Sequence, residues 1–141
     1  MTVTEALKRW LLTCPLLEGQ RLNTNYLGPM PSEFALIDSP VDPIRERYLD
    51  GSAVCQKAVA ITAVQDYSPD QLQQLAISGF WEELCDWVED RLWADELPEL
   101  GGDREVLSVE VTSSPYLFYT TPQTARYQVQ VLVAYTNHRK E

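Results

Sequence analysis

Histidine and cysteine are scarce in this 141-residue sequence, and they form no cluster. The one histidine is His138, and the three cysteines, Cys14, Cys55 and Cys85, lie far apart. Zinc sites need closely spaced Cys and His ligands, so the sequence gives no support to a structural zinc site. Each cysteine falls in an apolar run, which predicts buried free thiols. We expect His138 to be a solvated bystander.

Catalytic motifs are also missing from the sequence. There is no Gly-rich phosphate loop, since Gly101-Gly102 lies between acidic residues, and no Ser or Cys nucleophile elbow. An enzyme of this size is expected to bring together a nucleophile, a base and a group that orients the base. We therefore expect a protein that is not an enzyme and that carries no cofactor and no metal.

The sequence also lacks long apolar runs and has few basic residues. No run approaches the roughly 18 apolar residues that a membrane-spanning helix needs, and the N-terminal sequence lacks the order of a signal peptide. We expect no membrane contact and a protein that stays in the cell that makes it.

Lys and Arg number 11 against 21 Asp and Glu, a net charge of −10. This balance argues against a nucleic-acid binder, because phosphate contacts need basic side chains.

The acidity is concentrated in one segment. Residues 66–103 hold 11 acidic residues and one basic residue, so the rest of the chain is neutral in sum. Within it, Glu82 and Asp86 are four residues apart and share a helix face. Such a row can bind a divalent cation or act in acid–base chemistry, but the simpler interpretation is a solvated outer face.

The same segment contains the strongest structural signal, a long helix over Ser68–Trp93. Ser68 suits the N-cap and Pro69 the first helical position. Apolar residues recur at helical spacing in a wide stripe, which is typical of a helix packed on a sheet. Gly79 is predicted either to admit a close neighbour or to kink the helix.

The remaining elements are short and mostly strand-like. A capping box at Thr2 and Glu5 opens a predicted helix over Val3–Thr13, which Pro15 stops. The predicted order is one helix, four strands, the long helix and two or three final strands. We expect one domain over residues 1–141. Its class is α+β, with a mostly antiparallel sheet, one long helix packed on it and a short N-terminal helix.

A hairpin is predicted where Ile44–Leu49 and Ala53–Val64 flank Asp50-Gly51. We expect a two-residue turn in which both central residues have positive φ. Alternation places Arg45 and Arg47 on one face of the first arm and Ile44 and Tyr48 on the other. The arms are candidates for contacts between subunits, although ordinary pairing within one sheet also explains them.

The acidic loop over residues 94–103 follows the long helix. Its two leucines, Leu97 and Leu100, are expected to tuck under the domain, while the acids face water. Our candidate residues for an oligomer or partner interface come from this loop, the long helix and the hairpin. They are Arg45, Arg47, Tyr48, Asp50, Glu82, Asp86, Asp95, Glu96 and Glu99.

Several short segments, in this order, resemble a family of small proteins of long-tailed phages, the minor capsid or tail-terminator (tail-completion) proteins. The likeness covers roughly residues 3–135, and no single segment carries it alone. The segments are Cys14-Pro15, Phe34-Ala35-Leu36, Arg47-Tyr48-Leu49-Asp50-Gly51-Ser52, Phe80-Trp81-Glu82-Glu83-Leu84 with Asp86-Trp87, Leu97-Pro98-Glu99-Leu100 and Ala125-Arg126-Tyr127-Gln128-Val129-Gln130.

The resemblance implies a structural task in the virion. Such proteins cap the tail tube, stop its polymerisation and join tail to head as a ring, usually a hexamer of an α+β sandwich. The implied partners are other copies of the chain, the tail tube protein and a head-completion or connector protein. DNA would pass through the ring without specific binding. An acidic lumen containing Glu82, Asp86 and Glu99 would suit that passage, because it repels phosphate.

Two other classes of function remain open. One is a small acidic ligand-binding domain or enzyme, with a pocket near Trp87 and Trp93 and the carboxylate row beside it. The other is a DNA-mimic inhibitor that offers its acidic face to a basic partner. A concentration-dependent ring would favour the phage protein, and a monomer with one deep polar pocket would favour the ligand-binding domain.

Overall fold

The computed structural model describes residues 2–17, 21–24, 33–66, 71–102, 104–113, 116–120 and 124–137. Its order of elements confirms the α+β class and the predicted succession of helices and strands. Within these ranges, no helix is long and apolar enough to cross a membrane. The elements are α1 Val3–Leu11, β1 Arg21–Thr24, β2 Glu33–Ser39, β3 Ile44–Arg47, β4 Ala53–Asp66, α2 Gln71–Trp93, β5 Arg104–Val111, β6 Tyr116–Thr120 and β7 Thr124–Asn137.

Helix α1 begins where predicted and ends two residues earlier than predicted. The Glu5 N–H donates to Thr2 Oγ1 at 3.1 Å, which confirms the N-cap. At the other end, the Thr13 and Cys14 N–H groups bond to carbonyls three residues back, not four. This tightening prepares the 3-10 turn of Pro15–Leu17, because a residue that precedes proline avoids the α conformation.

The sheet is built around its two longest strands, β4 and β7, which pair antiparallel over their whole lengths. The order is β1-β2-β4-β7-β5, with β3 added to β4 and β6 added to β7. Only the β1–β2 pair is parallel among the described pairings. The side chains that alternate onto one face of β4 and β7 are buried and form the floor of the core; they are Val59, Ile61, Ala63, Val129, Val131 and Val133.

The β3–β4 hairpin is confirmed, but its predicted turn type is wrong. The Gly51 N–H donates to the Tyr48 carbonyl at 3.2 Å, and the Tyr48 N–H donates to the Ser52 carbonyl at 2.9 Å. Gly51 has a φ of 92°, whereas Asp50 does not have positive φ. The loop is therefore a three-residue turn with glycine in its last position. This geometry places Leu49 at the tip, where it is fully exposed.

Irregular pairing breaks the simple alternation of side chains in two strands, and in β3 it overturns the predicted faces of Ile44 and Arg47. In β3 the register shifts between Ile44 and Glu46, so Ile44 and Arg47 pair with residues of the same face of β4. In β5 the shift between Val106 and Ser108 leaves Leu107 exposed and buries Val106. An extra residue in one strand reverses the alternation that follows it.

Helix α2 covers the core face of the sheet with Trp81, Leu84 and Val88, all fully buried. Its described portion runs from Gln71, so the predicted cap at Ser68 and Pro69 lies outside the described residues. A Cβ placed on Gly79 would meet no atom within 4 Å, and the prediction of a close neighbour there is wrong. The acids of the helix, from Glu82 to Asp90, are exposed, as expected for an outer face.

Candidate functional site

One side of α2 faces α1, and several of its aromatic and charged side chains there have partners within the chain, although the Nε–H of Arg91 is buried without an acceptor among the described residues. The Trp10 indole packs against that of Trp87 with ring centroids 4.8 Å apart. Its Nε1–H donates to the Glu96 carbonyl at 2.7 Å. Arg91 pairs with the Glu96 carboxylate at 2.5 Å and lies 5.9 Å from the Trp87 ring centroid. We call these four residues the tryptophan junction, and it fixes the acidic loop to both helices.

The acidic loop is placed as predicted. Leu97 is half-buried and Leu100 is buried, while Asp95, Glu96 and Glu99 are exposed. Asp95 adopts a φ of 57° and ends α2 by donating its N–H to the Leu92 carbonyl. Of the three predicted interface acids here, Glu96 is already paired inside the subunit. Asp95 and Glu99 remain available to a partner on the surface of the loop.

The other side of α2 borders an open apolar groove. The groove runs between the C-terminal half of α2 and the end of β5, and its volume is about 490 Å³. Val88 and Val109 are buried at its floor, whereas Trp93 is 82% exposed at its mouth. The residues that line it are Cys85, Val88, Glu89, Leu92, Trp93, Val109, Glu110, Val111 and Ser113. We call it the acidic groove, for the carboxylates described next.

A row of carboxylates follows the rim of this groove. Glu82, Asp86 and Glu89 are exposed and spaced by four and then three residues, so they follow one face of α2 that ends at Trp93. Glu110 adds a carboxylate from β5. None of these four carboxylates forms an ion pair with a Lys or Arg among the described residues. The structure thus brings the predicted pair Glu82 and Asp86 together with two acids that the sequence did not single out.

The hairpin carries the other predicted residues. Arg45 and Arg47 are exposed, and neither forms an ion pair with a described residue. The Tyr48 hydroxyl donates to Glu46 at 2.7 Å, and that bond raises the pKa of the phenol. Asp50 stabilises the turn instead of facing a partner, because it accepts from both the N–H and the hydroxyl of Ser52. Arg45, Arg47, Tyr48 and Leu49 form what we call the hairpin surface.

Sequence reasoning missed Leu49 and misjudged the two tryptophans. Leu49 was part of a predicted strand, and only the three-residue turn shows it as an exposed tip. The alternative function of a ligand-binding domain places a pocket near Trp87 and Trp93, but the two indoles face different surroundings, since Trp87 packs against Trp10 and Trp93 borders the acidic groove. Six steps along the helix separate Trp87 from Trp93, which correspond to about 600° of rotation and leave the two side chains about 120° apart. The spacing of the two tryptophans in the sequence was enough to predict that they face different sides of the helix.

The cysteines match the expectation of free thiols, with one difference. Cys14 and Cys55 are buried, but Cys85 is only half-buried, in the wall of the acidic groove. Burial raises the pKa of the Cys85 thiol, and the nearby Asp86 and Glu82 raise it further. Within the described ranges, His, Cys, Asp and Glu form no group of three that could hold a metal ion. His138 lies outside those ranges.

Comparison of the sequence with protein-family models and with curated proteins finds no match. The candidate surfaces therefore rest on the geometry and charge of this chain alone.

Proposed function

We propose that this chain is a structural subunit of a tailed phage, acting where the tail meets the head. Copies of it would form a ring of six that caps the tail tube, stops its polymerisation and joins it to the head. Its partners would be the tail tube protein and a head-completion or connector protein, and its place would be the virion. The resemblance of the ordered segments supports this function, and the α+β class is the one that the resemblance implies.

The structural observation that carries the proposal is the presence of two unlike surfaces at opposite edges of one sheet. The hairpin surface presents two arginines and the exposed Leu49, and it lies beside β3. The acidic groove lies beside β5, at the other end of the strand order. A ring of identical subunits joined head to tail needs two different surfaces on each copy. This chain offers such a pair.

The charge of the chain suits a ring through which DNA passes. Its net charge is −10, and the exposed acids of the acidic loop have no role in the core. DNA slides past a surface that repels its phosphates and binds to one that neutralises them. We propose that Asp95 and Glu99, whose carboxylates form no ion pair with a described residue, line or approach the channel.

The acidic groove also favours a second candidate function, that of a small-ligand binding domain. Its volume falls within the usual range for ligand pockets, and the exposed Trp93 offers an aromatic wall. A ligand that binds the groove of a persistent monomer would support this function instead. The Trp87 side takes no part in it, because that indole packs against Trp10.

Tail-tube growth provides a direct test of the proposed function. Tube protein encoded by the same phage genome would be polymerised with and without this chain, and tube length would be measured by electron microscopy. We expect shorter tubes with a ring of density at one end when the chain is present. Tubes of unchanged length with bare ends at every ratio would contradict the proposal. Serum albumin, another acidic protein, is the control for a non-specific effect of charge.

A further inference from the structure

The hairpin surface projects an apolar tip that is held rigid. Leu49 is fully exposed and Tyr48 is half-exposed at the end of the loop. The turn hydrogen bonds, together with the two bonds to Asp50, fix the backbone on either side of Leu49. A preorganised loop loses little conformational entropy when it binds. A large apolar side chain displayed in this way is suited to insertion into a pocket.

The acidic groove has the complementary form. It is open to solvent at its mouth and closed below by Val88 and Val109, which are buried. Its volume of about 490 Å³ has room for a leucine side chain with part of a tyrosine. Burying one leucine side chain strengthens a contact by about tenfold or more, which makes the tip an effective anchor.

Each of the two features carries groups that could form ion pairs with the other. Arg45 and Arg47 lie in β3, just before the hairpin tip, and have no ion-pair partner among the described residues. Glu89 and Glu110 are groove residues, and Glu82 and Asp86 continue the rim. Glu46 accepts from Tyr48 and Asp50 accepts from Ser52, so both acids of the hairpin bond to neutral donors and keep their charge. The four charges of the hairpin therefore sum to zero, and Arg45 and Arg47 are its groups that can pair with the carboxylates of the rim.

A hairpin cannot fill the groove of its own subunit. At this end of the sheet the strands follow in the order β3-β4-β7-β5, so three strand spacings, about 14 Å, separate β3 from β5. The two surfaces are also separated along the strand direction. The end of the hairpin pairs with β7 near Asn137, and the groove end of β5 pairs with β7 at Val131, six residues or about 20 Å away. The two surfaces can meet only between copies.

We infer that the hairpin tip of one copy inserts Leu49 into the acidic groove of the next copy, with Arg45 and Arg47 against the carboxylates of the rim. The inference rests on the proposed function, because it names the contact that closes the ring. The contact is heterologous, and it repeats around the ring without a two-fold axis. It also moves Glu82 and Asp86 from the expected lumen to the boundary between subunits.

The contact is small, and this has a consequence for assembly. A tip of a few residues buries less than the roughly 1,200–2,000 Å² of a stable standard interface. Neighbouring copies therefore associate weakly in solution. A template that holds several copies together raises their effective concentration and favours the closed ring. Such behaviour suits a protein that must assemble only at the end of a finished tube.

Cross-linking through the native Cys85 tests the pairing directly. In L49C the new thiol would meet Cys85 of the next copy, and oxidation at alkaline pH would join them by forming a disulfide between two thiolates. The oxidant is dissolved oxygen with copper phenanthroline. We expect a ladder of covalent multimers that ends at the closed ring, with a 49–85 link seen by mass spectrometry. The ladder should disappear in L49C/C85S.

The control variant is L12C, since Leu12 is also exposed but belongs to neither surface. Alkaline pH is chosen because the raised pKa of Cys85 lowers its thiolate fraction near neutrality. The reaction would be run with and without tail tubes. A ring without any 49–85 link would overturn the pairing and leave the proposed function standing. Neither a link nor a ring, even on tubes, would overturn both.

A mixing experiment distinguishes this head-to-tail contact from a symmetric one. L49D removes the anchor, and E89R/E110R reverses the charge of the groove, so each variant alone is expected to associate at least about tenfold more weakly. Mixed together, they retain one intact interface and should form a dimer that does not grow. Growth of the mixture beyond a dimer, or failure to form one, would overturn the inference. All three positions are at the surface, and circular dichroism would confirm folding.

Discussion

The two sides of helix α2 differ in whether their aromatic and charged side chains have partners. At the tryptophan junction, Trp87 packs on Trp10 and Arg91 pairs with Glu96. At the acidic groove, Trp93 is exposed, and the carboxylates form no ion pair with a Lys or Arg among the described residues. Burying an aromatic residue stabilises a fold, whereas an exposed one adds little to its stability. The comparison separates a junction that stabilises the fold from a groove that we propose as a binding surface.

Removal of a tryptophan on each side should produce the largest difference. We expect W10A to lower the free energy of unfolding by about 3–5 kcal/mol, because it deletes a buried ring and leaves the Glu96 carbonyl without its donor. W93A should change it by less than about 1 kcal/mol, since that side chain is mostly exposed. Urea unfolding measures both. Similar losses of unfolding free energy in the two variants would contradict the view that only the tryptophan junction stabilises the fold.

A change in the hairpin turn should have the next largest effect. G51A forces a side chain onto a φ of 92°, which costs about 1–2 kcal/mol of stability. It should also weaken assembly, because the turn positions Leu49. G79A is the matched control, since a Cβ there meets nothing and the helix gains propensity. We expect urea unfolding to show G51A destabilised and G79A unchanged or slightly stabilised.

The ion pair at the tryptophan junction should matter less. Arg91 and Glu96 are partly exposed, so solvent screens their attraction, and E96Q should cost only about 0.5 kcal/mol. The loop stays attached through the Trp10 bond to the backbone of Glu96, which the substitution keeps. A loss above about 2 kcal/mol in urea unfolding would show that the pair, and not the tryptophans, fixes the loop.

Neutralising the rim should leave stability nearly unchanged and alter assembly. In E82Q/D86N/E89Q we expect the free energy of unfolding to stay within about 0.5 kcal/mol of the native value, because these acids are exposed and unpaired. The salt dependence of self-association, measured by sedimentation, should become weaker. E83Q, on the same helix, is the control. An unchanged salt dependence would show that the rim lies away from the contact.

Much of the fold could be predicted because it depends on local pattern. The period of α2, the alternation in β7 and the Asp50-Gly51 turn signal each reflect short stretches of chain. The bulges in β3 and β5 could not be predicted, since they depend on how a partner strand fits. The burial of Leu97 and Leu100 could be predicted because both are apolar residues in an acidic loop. The hydrogen bond from Trp10 to Glu96 could not, because it joins residues 86 positions apart.

The candidate site was predictable only in part. Glu82 and Asp86 were found because helical spacing places them together, and Arg45 and Arg47 because they stand out in a short strand. Leu49, Glu110 and the groove itself required the turn geometry and the packing of α2 over β5. Glu96 and Asp50 were predicted to face a partner, yet both are engaged within the subunit. Local charge does not show whether a neighbour in space already satisfies it.

The proposed ring is best tested by the mass of the protein in solution, measured by light scattering across concentration, with and without tail tubes. We expect weak association that increases with concentration and a mass near six copies on tube ends. L49D should remove that association, and L12D should leave it intact. A monomer that ignores tubes at every concentration would contradict the ring and direct attention to the acidic groove as a ligand site.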